Sequence, residues 1–515
     1  MPPLPLSPFS LLLSSRPLRP GDRRLHPLDL ATVVIYLAIV TAIGIRAGRG
    51  QRTAGDYFLG ARDLPALAVL FSIVATETSA LTVISVPGIG FKGDLTFLQL
   101  GFGYILGRIG VAAWLLPGYF LGSQETAYQR LASRFGDRTR RLVSAVFLLT
   151  RFLGDGVRVF AGAIPLALLA GWSVPTAIVV MGAVTLLYTW YGGLKAVVWT
   201  DVLQLAIYTT GGVVALGIAI HLGGGVRAVV TAAAAAGRLR VIVPHLSLTE
   251  PYTLLGGLIG GGLLSAASHG TDHLIVQRLL ATRSLRDAQR ALIGSGVVVT
   301  LLFALFLLIG VAIRTGGIIG TTVAGDQVFP QFIISHLPAG LAGLVIAGIL
   351  AASMGTHSSA ISALASSVTH DLYATWTGRT DPAHLLKVGR GFALAWGTAL
   401  ILAAIAFNAF TQGNTPVVVL ALSIASVTYG GLLGTYLLAG GWARTRGRDV
   451  ITGILATIVV MTAVIFAARL STWPPLGWLA PMGRLAWPWY VPMGTALTLV
   501  VAIATSFLPN PRVER

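Results

Sequence analysis

Residues 72–88 read SIVATETSALTVISVPG, and the fold follows from how this stretch is understood. It begins as an apolar helix and ends on Pro87 and Gly88, with Gly90 close behind, all residues that interrupt helices. Between lie Thr76, Glu77, Thr78, Ser79 and Thr82, a carboxylate among hydroxyls in an otherwise apolar segment. A charge at that depth is costly unless it faces a wet cavity or a partner. The stretch therefore reads as an interrupted membrane helix with a polar site at its centre. Unwound backbone there can hold ions and substrate.

Outward from this segment the whole chain has the same character: 55% of its 515 residues are hydrophobic, 10% are charged, and the mean hydropathy is +0.80. Apolar stretches of roughly twenty residues, each able to cross about 30 Å of hydrocarbon, explain that composition. Spans are expected at 29–47, 64–91, 97–122, 141–170, 174–191, 196–222, 253–280, 290–314, 337–370, 388–410, 415–440, 450–468 and 489–508. The expectation is thus an all-α integral membrane protein of about thirteen transmembrane helices. The 62 glycines suit helices that pack closely in lipid. Residues 1–27, rich in Pro and Arg, read as a disordered tail, 28–510 as one transmembrane domain, and 511–515 as a short C-terminal tail.

Several function classes recede. The chain has no cysteine, which removes disulfides, thiolate metal sites and thiol catalysis, and its nine histidines show no HExxH spacing. The net charge of +18 lies in short loops between spans, not in a basic tract that would read as a nucleic-acid site. Arg46 to Arg62, Arg130 to Arg141, Arg278 to Arg290 and Arg444 to Arg448 fall on one side of the expected topology. The positive-inside rule makes that side cytoplasmic, with the N-terminus outside and the C-terminus inside a cell membrane. No residues supply nucleophile, base and orienting group at recognisable spacing, so an enzyme is not expected.

Four further polar places lie within spans, each open to a structural and a functional reading. Arg151, Asp155 and Arg158 lie at i, i+4 and i+7 on one helix face, either a neutralised cluster or a gate or carboxylate site. Asp201 follows Trp199 and Thr200 and precedes Gln204; it either caps a helix or serves a site. His269, Thr271, Asp272 and His273 follow a glycine cluster at Gly256, Gly257, Gly260, Gly261 and Gly262, which is expected to break the seventh span. His273 leaves proton coupling open, against a plain polar helix end. Ala352, Gly355, Thr356 and Ser359 share one face of the ninth span, with Ser358 alongside, for tight packing or for an oxygen shell around a hard cation. Interrupted helices opening spans two to six and seven to eleven suggest inverted repeats over about 64–222 and 253–440.

These same residues carry a family resemblance. DYFLGARDLP at 56–65, SIVATETSALTVISVPG at 72–88, YGGLKAVVWTDVLQ at 191–204, GTDHLIVQR at 270–278 and LAASMGTHSSAISALASSVTHDLY at 350–373 together resemble the sodium:solute symporter family. The resemblance implies a leucine-transporter-type fold with a 5+5 inverted-repeat core and flanking helices. It further implies sodium-coupled symport of a small polar organic solute, an amino acid, monocarboxylate or sugar-like molecule, by alternating access. Sodium is then a co-transported ion rather than a prosthetic group. By position, the resemblance places a sodium site at Ala75, Thr78, Ala352 and Thr356 and a second at Asp201, Ser358 and Ser359. It places substrate and gating roles around Glu77, Ser79, Thr82, Asp155, Arg158, His269, Asp272 and His273. Gly355 departs from the pattern, because many members carry a serine hydroxyl there. The alternatives are proton coupling on the same fold through Glu77, Asp201 or His273, and a solute sensor or channel.

Overall fold

The computed structural model describes residues 26–122, 124–410 and 417–509, and within them the chain is helical apart from turns, irregular loops and one isolated bridge between Leu64 and Thr282. Most of the expected tail 1–27, and all of 511–515, lie outside the described residues. Helix α1 (Pro27–Ala47) starts at the edge of that tail, capped by His26, whose ring accepts from the Leu28 amide.

Each expected span falls on helix. After α2 (Ala54–Leu59) come α3 (Ala66–Glu77) and α4 (Ala80–Lys92), then α5 (Leu98–Gly110), which runs on through a π-turn to Tyr119. Next are α6 (Gln129–Phe135), α7 (Asp137–Ala170) and α8 (Val174–Leu222). The second half holds α9 (Gly262–Gly270), α10 (His273–Leu280), α11 (Leu285–Thr315), α12 (Leu341–Ser367), α13 (Pro382–Phe410), α14 (Val417–Gly441), α15 (Gly447–Ile465) and α16 (Tyr490–Ser506). Among the described residues, eight helices are long and apolar enough to cross a membrane, or nine if α3 and α4 form one broken span. The other expected spans are α7 with its charges, the second arm of α8, the broken pair α9 and α10, and α14. With 49 residues, α8 would be over 70 Å long if straight, about twice the thickness of hydrocarbon. It bends instead at Gly193, at φ 55° and ψ −154°, so the two expected spans are arms of one kinked element.

Both interruptions lie elsewhere than expected. The first falls at Thr78 and Ser79, where α3 and α4 meet at 68°; Pro87 sits inside α4. Gly88 and Gly90 serve close packing, since a Cβ on either would collide with the carbonyl oxygen of Gly325 or Leu307. The second falls at Thr271 and Asp272, while the glycine run Gly256–Gly261 stays helical as a π-turn leading into α9. Glycine and proline were misleading markers because neighbouring helices supply the packing that keeps them helical.

At the centre stands α12. Its most apolar window is 94% buried, against 28% for α1, so α12 has no lipid-facing stripe. All its polar side chains therefore meet protein. Thr356, Ser358 and Ser359 are buried to within 2% of complete, and α12 as a whole packs against α3, α4, α7 and α8.

Candidate ion and solute site

The first interruption leaves backbone oxygens without donors. Where α3 ends, the Thr78 amide donates to Val74 and the Ser79 amide turns back to Glu77. Past the break, the Thr82 and Val83 amides both donate to Ser79. Among the described residues, no backbone N–H reaches the carbonyls of Ala75, Thr76 or Thr78. Helix ends always leave such carbonyls; here they lie in the protein interior, where the lost partner is expensive. The Thr78 hydroxyl beside them is also buried and unpartnered, next to Tyr208.

Helix α12 faces this break. The Thr76 hydroxyl lies 3.1 Å from that of Ser359, one turn along from Thr356. Thr356 donates back to the Ala352 carbonyl at 3.1 Å, which puts two oxygens of the expected sodium site side by side. Gly355 has a steric explanation: a Cβ there would stand 2.7 Å from Gln204 Oε1 and 3.2 Å from Asp201 Oδ1. Both oxygens are buried and unpartnered, so the amide and carboxylate of α8 fill the room a serine would need.

Asp201 is wholly buried in mid-helix rather than capping a helix at the interface. Its Oδ2 accepts from Ser72 at 2.5 Å and from Arg278 at 3.3 Å. Arg278 also donates to Ser72 at 2.8 Å, to the Leu274 carbonyl at 2.6 Å and to the Ser359 hydroxyl. Thus Asp201 and Ser359 do come together, around a guanidinium. Ser358 donates to the Gly355 carbonyl at 3.1 Å and not to Asp201.

Glu77 pairs with Arg108 of α5, which is fully buried and is further held by Ser295 at 2.6 Å and Ser265 at 3.3 Å. His269 Nε2 stands 3.4 Å from the same carboxylate oxygen. Ser79 and Thr82 flank the break, with Ser79 beginning α4 without a side-chain cap bond.

At the second interruption the side chains of Thr271, Asp272 and His273 are all engaged. Asp272 caps α10 by accepting from the Leu274 amide at 2.9 Å, and its other oxygen takes Arg151 Nε at 3.0 Å and the Tyr429 hydroxyl at 3.0 Å. Asp155 accepts from Arg158 at 3.0 Å and lies 3.5 Å from Arg151, so the α7 charges neutralise one another and Asp272. His273 accepts from the Ala127 amide at Nδ1, which puts its proton at Nε2, toward Ser366 at 3.0 Å.

Sequence reasoning placed Glu77, Asp201, Asp272 and Arg151 but not which cation pairs with which acid. Arg108 and Arg278 are legible only as charges that need an acid, and the acids lie 31 and 77 residues away.

Two broken helices packed around a buried, oxygen-lined helix make this a secondary transporter of leucine-transporter type. A substrate-bound, outward-open structure of a Na+-coupled sialic acid symporter superposes with a TM-score of 0.82 at 25% identity, covering 94% of this chain and 98% of that one. The sequence model of the Sodium:solute symporter family matches residues 57–456, and the chain belongs to that family. The human sodium/iodide cotransporter is 28% identical over 465 residues, covering 87% of this chain and 70% of that protein. The sodium/sialic acid symporter SiaT of Proteus mirabilis is 26% identical over 466 residues, covering 86% and 90%. The human sodium-coupled monocarboxylate transporter 1 is 27% identical over 472 residues, covering 87% and 76%. The protein is accordingly a multi-pass membrane symporter that couples solute movement to sodium, with Na+ as a transported ion.

Proposed function

We propose that sodium binds between the first interruption and α12, held by the carbonyls of Ala75, Thr78 and Ala352 and the hydroxyl of Thr356. The observation that carries this is the set of buried carbonyls at the end of α3 that receive no backbone donor. A hard cation takes oxygen ligands, and unwound helix backbone supplies them in a space closed to water. At the second trio, Asp201 Oδ2 and Ser359 already serve Arg278. A second sodium there would use Asp201 Oδ1 with Ser358 and the Gln204 amide oxygen.

The solute is a small polar organic molecule seated against Glu77, Ser79, Thr82 and His269. The Arg151, Asp155, Arg158 and Asp272 cluster, with His273, works as a hinge for the second broken helix. Ion and solute together stabilise one state more than another, and only that difference in affinity drives alternating access. The transporter is one unit over 28–510 in the cell membrane, N-terminus outside and C-terminus cytoplasmic; the arginine-rich loops support this orientation. It catalyses no covalent chemistry.

Uptake into proteoliposomes tests the reading. Solute accumulation should rise with an inward sodium gradient and vanish when that gradient is collapsed. Accumulation driven by a pH gradient in sodium-free buffer would replace sodium with protons.

A further inference from the structure

Far from both interruptions, α4 finishes on Phe91 and Lys92 beside the last turn of α11, which carries Arg314. The connection 223–252 packs against both helices. Its Arg238 donates through Nη1 to the carbonyls of Phe91 at 3.1 Å and Gly93 at 2.9 Å, and the Leu95 amide donates to the Arg240 carbonyl at 3.1 Å. Four cations thus meet at one end of the bundle. Lys92 Nζ and the Arg314 guanidinium lie 5.7 and 5.4 Å from the centre of the same Phe91 ring, which is wholly buried.

Anions do not match them. Among the described residues, the one carboxylate paired with any of the four is Asp94, whose Oδ2 takes Arg240 at 2.9 Å and whose Oδ1 takes the Thr96 hydroxyl at 2.6 Å. The C-terminal dipoles of α4 and α11 supply roughly half a negative charge each, which leaves the group about two units positive. Arg314 carries the deficit. Its guanidinium has five N–H groups, no acceptor among the described residues meets any of them, and Nη1 is closed off from solvent. Burial and then the charge of Arg314 hold the Arg238 guanidinium below its usual pKa, so the two repel each other. Arg238 is bonded through Nη1 alone and keeps Nε and Nη2 for another acceptor.

We propose that this end of the molecule binds a small monovalent anion, a halide or a carboxylate, between Arg314 and Arg238 with the exposed Lys92 at its margin. The unbalanced charge selects an anion, and the spare N–H groups select one that accepts hydrogen bonds. An anion between the two guanidiniums turns their repulsion into two attractions. Bound there, it ties together α4, α11 and the connection 223–252. The proposed sodium lies at the start of α4, by Thr78, and the anion at its finish, by Lys92, so the two ions hold the same arm of the first broken helix from opposite ends.

Full-length protein in detergent is melted at fixed sodium concentration and ionic strength, with the bulky HEPES anion replaced stepwise by chloride, iodide or acetate. A saturable rise in Tm of a few degrees is expected with at least one of the three. A rise with the halides alone assigns an inorganic anion, and a rise with acetate admits the carboxylate of a solute. Arg314→Gln should weaken the anion about tenfold or more. Lys92→Gln, changed at the exposed margin, should weaken it about threefold and serves if the first variant unfolds. Arg227→Gln removes an exposed cation of the same connection and should leave the response as it is. No saturable rise with any anion, or the same rise in Arg314→Gln and Lys92→Gln as in the unaltered chain, overturns the proposal. Sodium titrated in HEPES alone reads the other site: its response should survive both substitutions, and its absence from every chain faults the sodium site and not the anion site.

Discussion

The two interrupted helices are finished differently by their side chains. At Thr271 and Asp272 the break is capped and cross-linked: Asp272 holds the α10 amide end, Tyr119 donates to the Gly270 carbonyl at 2.6 Å, and Arg151 ties the carboxylate to α7. At Thr78 and Ser79 the ends of α3 and α4 are bare, without a side-chain cap or donors for three carbonyls. A break whose side chains are tied to their neighbours can serve as a bend; a break with a buried hydroxyl and carbonyls and no side-chain cap has oxygens to offer the proposed ion.

The comparison can be broken first at the wired end. Asp272→Ala strands the buried Arg151, and removing one partner of a buried ion pair typically costs about 3–5 kcal/mol. Thermal unfolding in detergent should show that loss, while protein that remains folded keeps its sodium dependence. An Asp272 variant with full stability but altered sodium response would reverse the roles of the two breaks. A smaller effect is expected at Gly355→Ser, whose Cβ would crowd Gln204 Oε1 at 2.7 Å. Overpacking of this kind costs about 1–3 kcal/mol, and adding Gln204→Ala should recover most of it in a double-mutant cycle of melting temperatures.

At the bare end the order inverts. Thr356→Ala removes one proposed ligand and should raise the sodium concentration for half-maximal uptake about tenfold, or about 1.4 kcal/mol. Its melting temperature without sodium should barely move. An unchanged sodium dependence would take Thr356 out of the site.

The smallest effect belongs to the loop between α5 and α6. Burial raises the Glu125 carboxyl pKa, but His370, 2.6 Å away, together with Arg62 and Arg140 outweighs this and leaves it below the usual value. A folded-state pKa below the unfolded one contributes stability above the unfolded value that fades as pH falls through the folded value. Glu125→Gln should therefore lower stability slightly at neutral pH and flatten the acid limb of the profile below about pH 4.5, where the wild-type advantage fades.

How much of this was legible in the chain follows from which interactions are local. The run from Thr76 to Thr82 announced a polar site within a span, and the spacing of Ala352, Thr356 and Ser359 announced one oxygen-bearing face; both are properties of single helices. Pro87 and the glycines of 256–262 were misread as breaks, because a helix breaker's effect depends on neighbours that its own sequence does not contain. The pairings of Asp272 with Arg151 and of Asp201 with Arg278 span 121 and 77 residues, and nothing in either segment names the other.

Composition, hydrophobic period and the cost of charge in lipid were thus enough to specify a bundle of membrane helices with polar centres in particular spans. Tertiary structure alone decided which carboxylate each arginine would neutralise, and so which oxygens would remain for an ion and a solute. Burial is a local tendency a sequence can display, whereas satisfaction of a buried polar group depends on what the rest of the chain brings to it.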